Sequence, residues 1–317
     1  MTDGVEELQQ KLAEWRYWMD GDDPHCIMRQ LSTMLWNDAV FRVINECRGL
    51  APQDADGEPR VNGMVHGLIN RCHFETQALA IRRLTERNSQ RREDKYVISL
   101  RRLLDDMGAN VGLLTRGNFF EAEALVYDYE PLEQEYYKQR TASPTGGDLC
   151  LARQISHNDW LWAARRHEAF DCLSRKDSTH RSRSDAVDAT IFAALRHQLA
   201  PCDDVKTFVD KFVAHAADPA NRDRVPEKER QICLGKIWDC HAVLCRVTTF
   251  VSVVLLRGND FPGLAHPLFD QFQHMDEPLV ATRELGLLEL AWQEHEREIN
   301  GWAAIDWPPV WPSRDAT

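Results

Sequence analysis

The chain has 317 residues, of which 43% are hydrophobic and 28% are charged, a profile that suits a soluble globular protein of one large or two ordinary domains. The formal net charge is -12, because 50 Asp and Glu outnumber 38 Lys and Arg. This charge opposes a general nucleic-acid coat, which needs a basic face to displace counterions from phosphate. It is compatible with a local basic groove on an acidic body.

The N-terminal segment MTDGVEELQQKLAEW is acidic and amphipathic, without the basic and apolar regions of a secretory signal. The longest apolar run, from Ala242 to Leu256, has 15 residues and contains Arg246, whereas a membrane span needs about 20 residues. We therefore predict a buried core helix there, no membrane contact and a cytoplasmic location. The nine cysteines include no CxxC pair, which favours reduced thiols over a disulfide framework or a zinc finger.

Apolar residues recur with a helical period in nearly every patterned segment. Such segments begin near residues 64, 97, 187, 205 and 285. The second of them places on one face Val97, Leu100, Leu103, Leu104 and Met107. No run of alternating apolar and polar residues is bounded by hairpin turns, so strands are expected to be few or absent. The sequence therefore predicts an all-α protein.

Polar loops rich in Pro, Gly, Asp and Ser divide the chain, and the segment TASPTGGDL at residues 141–149 is the strongest linker candidate. We predict an N-terminal helical segment and loop over 1–60, a first helical half over 61–140, a second half over 150–302 and a tail over 303–317. The helix that follows the charged loop 174–186 is expected to start with Ser184 as its N-cap. Asp185 and Asp188 would then lie in its first turn, where acidic groups suit the helix dipole.

The stretch FVDKFVAHAADP ends a predicted helix that begins near residue 203 and runs to His215, where Asp218 and Pro219 stop it. Lys211 and His215 are four residues apart, so they are neighbours on the helix surface. A protonated histidine near a helix C-terminus gains from the dipole and could act as a general acid, with Lys211 on a phosphate. The alternative is a histidine that caps the helix by bonding a carbonyl.

Other polar groups in the sequence are weaker candidates for a site. His73 and Glu75 are two residues apart, so they point to different faces of a helix, and the chain has no ExxH for a di-metal centre. The common nucleotide and hydrolase motifs GxGxxG, GxxxxGK[ST], GxSxG and HExxH are also absent. The pairs Arg82–Arg83 and Arg101–Arg102 are expected to form ion pairs on solvated helix surfaces, with Glu86, Asp105 and Asp106.

Two further groups combine histidine with acidic or basic residues. The first group lies on the most apolar predicted helix and consists of Asp239, His241 and Arg246. Because buried polar groups are costly unless paired, we favour a satisfied buried network there. A solvated surface is favoured for the other, which consists of His157, Asp159 and His167. Its spacing matches no metal motif.

Several of these segments resemble one family. The strings INRCHFETQALAIRRL, YVISLRRLLDDM, VDKFVAHAADP, KIWDCHAVLCRV and FDQFQHMDEP resemble bacterial proteins of the HEPN superfamily, in its abortive-infection U-type branch. The resemblance implies an up-and-down helical bundle with additional packed helices, a homodimer, and a role in phage defence or a toxin–antitoxin pair with a cognate protein partner. It also implies a metal-independent and cofactor-free ribonuclease, which uses an Arg, a spacer of four to six residues and a His.

Only His215 matches the histidine of that motif. The positions for the arginine hold Val209, Asp210 and Lys211, and Lys206 lies nine residues before His215. The resemblance thus assigns His215 and Lys211 as catalytic residues, and Lys206 and Lys211 as RNA- or phosphate-binding residues. A lysine supplies charge to a phosphate but lacks the planar fork of arginine.

Two functions remain open. In the first, a dimer cleaves RNA, with the 2′-hydroxyl as nucleophile and His215 as general acid or base. In the second, the missing arginine marks a non-catalytic helical module that binds a protein partner or a nucleotide. No metal or cofactor is expected in either case.

Overall fold

The computed structural model describes residues 3–87, 97–141, 157–214, 217–227, 230–261, 263–264 and 267–303. These residues form twelve α-helices and no β-strand, with two isolated bridges, Gln53 to Pro59 and Thr115 to Ala186. The all-α prediction is confirmed. The helices are α1 (Asp3–Asp20), α2 (Ile27–Leu50), α3 (Gly63–Thr85), α4 (Leu100–Ala109), α5 (Arg116–Ala122), α6 (Glu130–Thr141), α7 (His157–Ser174), α8 (Ala189–Gln198), α9 (Pro201–Phe208), α10 (Pro219–Asp223), α11 (Leu234–Thr249) and α12 (Leu285–Ala303).

The chain divides into two compact units, Met1–Ala265 and His266–Thr317. Helices α1 to α11 belong to the first unit and α12 belongs to the second. The boundaries predicted from the loops, near residues 60, 140 and 302, stay predictions.

The core of the first unit is built from apolar positions that recur every three or four residues. In α1 the buried residues include Leu8, Leu12, Trp15 and Met19, which form one stripe along the helix. Residues of α2, α3, α4, α8, α9 and α11 join the same cluster. Burying each large side chain of this kind contributes roughly 1.5–3 kcal/mol relative to exposure, so this cluster dominates the stability of the unit.

The predicted apolar core helix is confirmed, with different bounds. α11 begins at Leu234 and continues through a π-helical turn at Phe250–Leu255, so the helical segment has 22 residues. Val247 and Val251 are fully buried, whereas Val253 is 41% exposed. Among the described helices, this segment alone is long and apolar enough to cross a membrane, and half of its most apolar window is buried inside the protein. The buried face gives the segment the features of a core helix.

Two helix starts differ from the prediction. α8 is capped by Asp188, whose side chain accepts a hydrogen bond from the Thr190 backbone N–H at 2.8 Å, and not by Ser184. Asp185 is unavailable to that helix because its carboxylate binds Arg116 at 3.1 Å. Asp218 does not end the preceding helix but starts α10, where it accepts from the backbone N–H of Asn221.

Candidate functional site

The predicted catalytic stretch lies on α9 and on the π-helical turn that follows it. α9 ends at Phe208 and Val209–Val213 form the π turn, so the regular α-helix predicted through this stretch is wrong. Val205 and Val209 are fully buried and fix the stretch against the core. π-helical turns are rare in proteins, and those that occur are often found at functional sites. This turn therefore remains a candidate functional site.

The acidic and basic groups of this stretch are paired with α3. The Asp210 carboxylate accepts a hydrogen bond from Arg82 Nε at 2.7 Å, and Lys206 Nζ lies 3.5 Å from Glu86 Oε1. Arg82 also lies 3.4 Å from Glu86. Two cations and two carboxylates therefore neutralise one another and join α9 and its π turn to α3.

The two remaining residues of the predicted site differ in what can be said of them. Lys211 is half-buried on the π turn, and it forms no hydrogen bond or ion pair with another residue in the described part of the chain. His215 lies outside the described residues. Lys211 is thus the one cation of this stretch, among the described residues, that is not neutralised by a neighbour.

A cavity of about 420 Å³ opens beside the ion pairs. Its lining includes His25, Arg82 and Arg83 together with Asp23 and Glu86. Because acidic and basic groups nearly balance, the cavity has no strong preference for an anion.

A second polar cluster lies in the core between α2, α3 and α11. Asp38, His73 and His241 are all buried. His73 Nε2 lies 3.5 Å from Asp38 Oδ1, and His241 Nδ1 lies 3.8 Å from Asp38 Oδ2. The satisfied buried network expected among Asp239, His241 and Arg246 is wrong: Asp239 and Arg246 are exposed, and His241 is buried with other partners and with one ring nitrogen unsatisfied among the described residues.

Gln77 fixes the tautomer of His241. The Gln77 amide nitrogen donates to the Met34 carbonyl at 3.1 Å, so its oxygen accepts from His241 Nε2 at 3.0 Å. Nδ1 of His241 then carries a lone pair, and it has no hydrogen-bond partner among the described residues. Burial lowers the pKa of His241 to about 4, even though the charge of Asp38 acts to raise it. The ring is therefore neutral at neutral pH.

Other donors already occupy the Asp38 carboxylate. Arg42 Nε donates to it at 2.7 Å and Trp238 Nε1 at 3.4 Å, and the Arg42 guanidinium lies over the Trp238 ring at 4.1 Å. An arginine at this distance disfavours a second cation on the same carboxylate. No group of three or more His, Cys, Asp or Glu within the described ranges could hold a metal ion.

The solvated surface predicted around His167 is wrong. His167 is buried, its Nε2 donates to the Tyr127 carbonyl at 2.8 Å, and its Nδ1 lies 3.1 Å from Arg116. Arg116 is fully buried and also binds Asp185 and Asp171. The loop 174–186 folds back over α7 and brings the Asp185 carboxylate to Arg116. The sequence pattern of α7 alone does not reveal this contact. The side chains of His157 and Asp159 lie outside the described residues.

The arginine pairs behave in two ways. Arg82 pairs with Glu86, as predicted. Arg101 is buried and donates to Asp203 at 2.8 Å, so the surface ion pair predicted for it with Glu86, Asp105 or Asp106 is wrong. Arg102 lies over the Trp18 ring at 3.9 Å, and its predicted ion pair stays a prediction. Asp203 and Trp18 are both distant in sequence from these arginines, whereas Arg102 also donates to the nearby Val97 carbonyl at 2.9 Å.

Sequence reasoning missed a basic–aromatic cluster formed by Trp162, Arg165, Arg166 and Arg257. These side chains line one cleft at the junction of α7 and the end of the α11 segment. The only sequence signal is the local string WAARR on α7. Nothing in the sequence brings Arg257 to the same place, because the contact depends on how α11 packs on α7.

Comparisons with known proteins leave the family open. No protein-family model, curated protein or solved structure matches this chain. The HEPN resemblance therefore remains a hypothesis that rests on the residues alone.

Proposed function

We propose that this protein is a non-catalytic helical module that acts by binding a nucleotide-containing ligand. The observation that carries this proposal is the pairing of Asp210 with Arg82, at 2.7 Å, at the place where a HEPN-like site would hold a free arginine. Lys206 is likewise held by Glu86. Cations that neutralise carboxylates within the fold are poor partners for a phosphate in a transition state.

The sequence points the same way. The three positions for the motif arginine hold Val209, Asp210 and Lys211, and a lysine lacks the bidentate fork that grips two phosphate oxygens. The basic–aromatic cluster lies elsewhere on the surface and offers guanidinium groups next to an exposed indole. Such groups bind nucleotides without any need for catalysis.

The test compares wild type with His215→Ala for growth of the expressing cells and for integrity of their RNA. We expect both proteins to leave growth and RNA unchanged. Degraded RNA with wild type, and intact RNA with His215→Ala, would overturn the proposal. The melting temperature of both proteins, measured on the same samples, separates a lost active site from a lost fold.

Ribonuclease activity is the second candidate, and one observation favours it. Lys211 lies on a π-helical turn and has no neutralising partner among the described residues. If the site cuts RNA, His215→Ala should lower cleavage by roughly 10²–10⁴, the usual worth of a general acid–base group. Lys211→Ala should then weaken RNA binding, because one phosphate contact is lost.

A further inference from the structure

The basic–aromatic cluster combines an exposed indole with two nearby guanidinium groups. Trp162 is 40% exposed, and the guanidinium carbons of Arg165 and Arg257 lie 5.4 Å and 5.1 Å from its ring centroid. Both distances are within the range of a cation–π contact, about 6 Å. The two arginines come from α7 and from the second residue after the π turn of the α11 segment, so the fold assembles the cluster from distant parts of the chain.

Positive charge exceeds negative charge at this place. Glu123 forms ion pairs with the arginines here, at 3.6 Å from Arg166, 3.3 Å from Arg257 and 2.8 Å from Arg16, and Asp20 lines the neighbouring pocket with Arg16 and Arg257. Arg165 forms no ion pair with another described residue. The carbonyls at the C-terminal end of the α11 segment accept hydrogen bonds from Arg166 and Arg16. The helix dipole there offsets about half of one positive charge. The net excess therefore stays positive, on a chain whose formal charge is -12.

Arg166 and Arg257 show that the arrangement is held in place. Arg166 is 4% exposed and lines the cleft, and its Nε has no hydrogen-bond partner among the described residues. An unsatisfied buried donor costs free energy. Arg257 has φ 53°, in the left-handed region that favours glycine, and its side chain pairs with Glu123 and lies over the Trp162 ring.

The size of the cleft limits what it can enclose. Its volume is about 230 Å³, which is below the roughly 300–1,000 Å³ of pockets that enclose whole small molecules. One base or one phosphate fits, while the rest of a longer ligand would lie outside. Stacking on an aromatic ring next to a positively charged groove is how single strands are bound without sequence preference.

We propose that the basic–aromatic cluster binds single-stranded nucleic acid, with one base stacked on Trp162 and the adjoining phosphates on Arg165 and Arg257. This inference rests on the proposed binding function and names its ligand class and its site. Arg166 contributes positive charge to the lining of the cleft.

The experiment measures fluorescence anisotropy of a labelled twelve-nucleotide oligoadenylate, as RNA and as DNA, titrated with the full chain at several salt concentrations. Loss of one stacked base is worth about 1–3 kcal/mol, so Trp162→Ala should weaken binding by about 5- to 150-fold. Arg165→Ala should make the slope of log K against log salt shallower by about 0.7, the value for one phosphate contact to a single strand.

Arg222→Ala is the charge-matched control. Arg222 is an exposed arginine of α10 outside the cleft, so its variant should keep the wild-type affinity within about twofold and the wild-type slope within a few tenths. Melting temperatures of all three variants confirm that each is folded. Wild type that does not bind the oligonucleotide, or Trp162→Ala and Arg165→Ala proteins that bind as wild type does, would overturn the inference.

Competing ligands give further decisive outcomes. ATP that binds more tightly than the oligonucleotide would overturn the assignment to a strand. Anionic phosphatidylserine vesicles that bind while the oligonucleotide does not would show that the cluster is a lipid-binding surface. A gel of the same samples separates this inference from the proposed function. If the oligonucleotide binds at Trp162, and wild type cuts it while His215→Ala does not, the non-catalytic function is overturned but the binding site is not.

Discussion

His241 Nδ1 carries a lone pair and lies 3.8 Å from the Oδ2 atom of Asp38, because Gln77 accepts the proton of the opposite ring nitrogen. Two hydrogen-bond acceptors this close inside a protein repel each other, and protonation of Nδ1 would turn this repulsion into an attraction. Burial opposes the protonation, since it lowers the pKa of His241 to about 4. This pair therefore makes the stability of the first unit depend on pH.

The first prediction concerns this dependence. In the unfolded chain His241 has its ordinary pKa near 6.5. Below that pH His241 is therefore protonated in the unfolded state but still neutral in the folded state. The free energy of unfolding should thus fall as pH drops from about 6.5 to about 4, by up to about 3 kcal/mol from this residue. Urea unfolding at a series of pH values measures the slope.

His241→Asn removes the titrating group and should flatten the curve in that window. His25→Asn, which removes an exposed histidine, serves as the control and should leave the slope as in wild type. An unchanged slope in His241→Asn would show that another group titrates there, with buried His73 and His167 the next to replace, since burial lowers the pKa of each.

The second prediction concerns Arg116, which ties α5 to α7 and to the loop before α8. Arg116→Ala leaves the carboxylate of Asp185 buried without its cation, and removing one partner of a buried pair typically costs about 3–5 kcal/mol. Arg116→Lys should also destabilise, because a single ammonium cannot bind Asp185, Asp171 and the His167 carbonyl from three nitrogens.

Arg196→Ala is the matched control, since it breaks an exposed ion pair with Asp105 and should cost less than about 1 kcal/mol. Chemical denaturation of the three variants gives the comparison. Equal stability of Arg116→Ala and Arg196→Ala would contradict the structural role of Arg116.

The third prediction uses the two sides of the α11 segment. Val251→Asp or Val247→Asp places an unpaired charge among fully buried apolar residues, so neither protein should fold in soluble form. Val253→Asp, two residues from Val251 on the exposed side of the same π turn, should stay soluble and melt cooperatively. A soluble, cooperatively melting Val251→Asp protein would show that this segment is not the centre of the core.

The fourth prediction concerns the cysteines. Eight of the nine lie in the described residues and all eight are free thiols. Titration in denaturant, with protein kept from air, should count nine reactive groups. In the native protein the exposed thiols of Cys72, Cys172 and Cys233 should react quickly.

The buried thiols of Cys26, Cys202 and Cys240 should react only as the protein opens. Mass spectrometry of the labelled peptides tells the two groups apart. A count of seven or fewer reactive thiols in denaturant would indicate a disulfide and would contradict the prediction.

Much of the fold follows from local sequence. The spacing of Leu100, Leu103, Leu104 and Met107 predicts one buried face, and all four are fully buried on α4. The apolar run around Val247 predicts a core helix for the same reason, since apolar periodicity is a property of neighbouring residues and of the free energy of burying them. Helix ends are predicted less well, because Ser184 and Asp188 are equally good N-caps in the sequence and only the structure shows that Asp188 caps α8.

By itself, the sequence of this protein determined the helical class, the buried stripes and the absence of an arginine at the HEPN-like positions. Only the tertiary structure decided which polar groups meet. Arg82 reaches Asp210 across 128 positions, Arg257 reaches Glu123 across 134, and His241 reaches Gln77 across 164. These contacts depend on the packing of helices that are far apart in the chain. A charged residue reads the same in sequence whether it faces water, a carboxylate or an indole, and its partner decides whether it stabilises the fold or is free to bind a ligand.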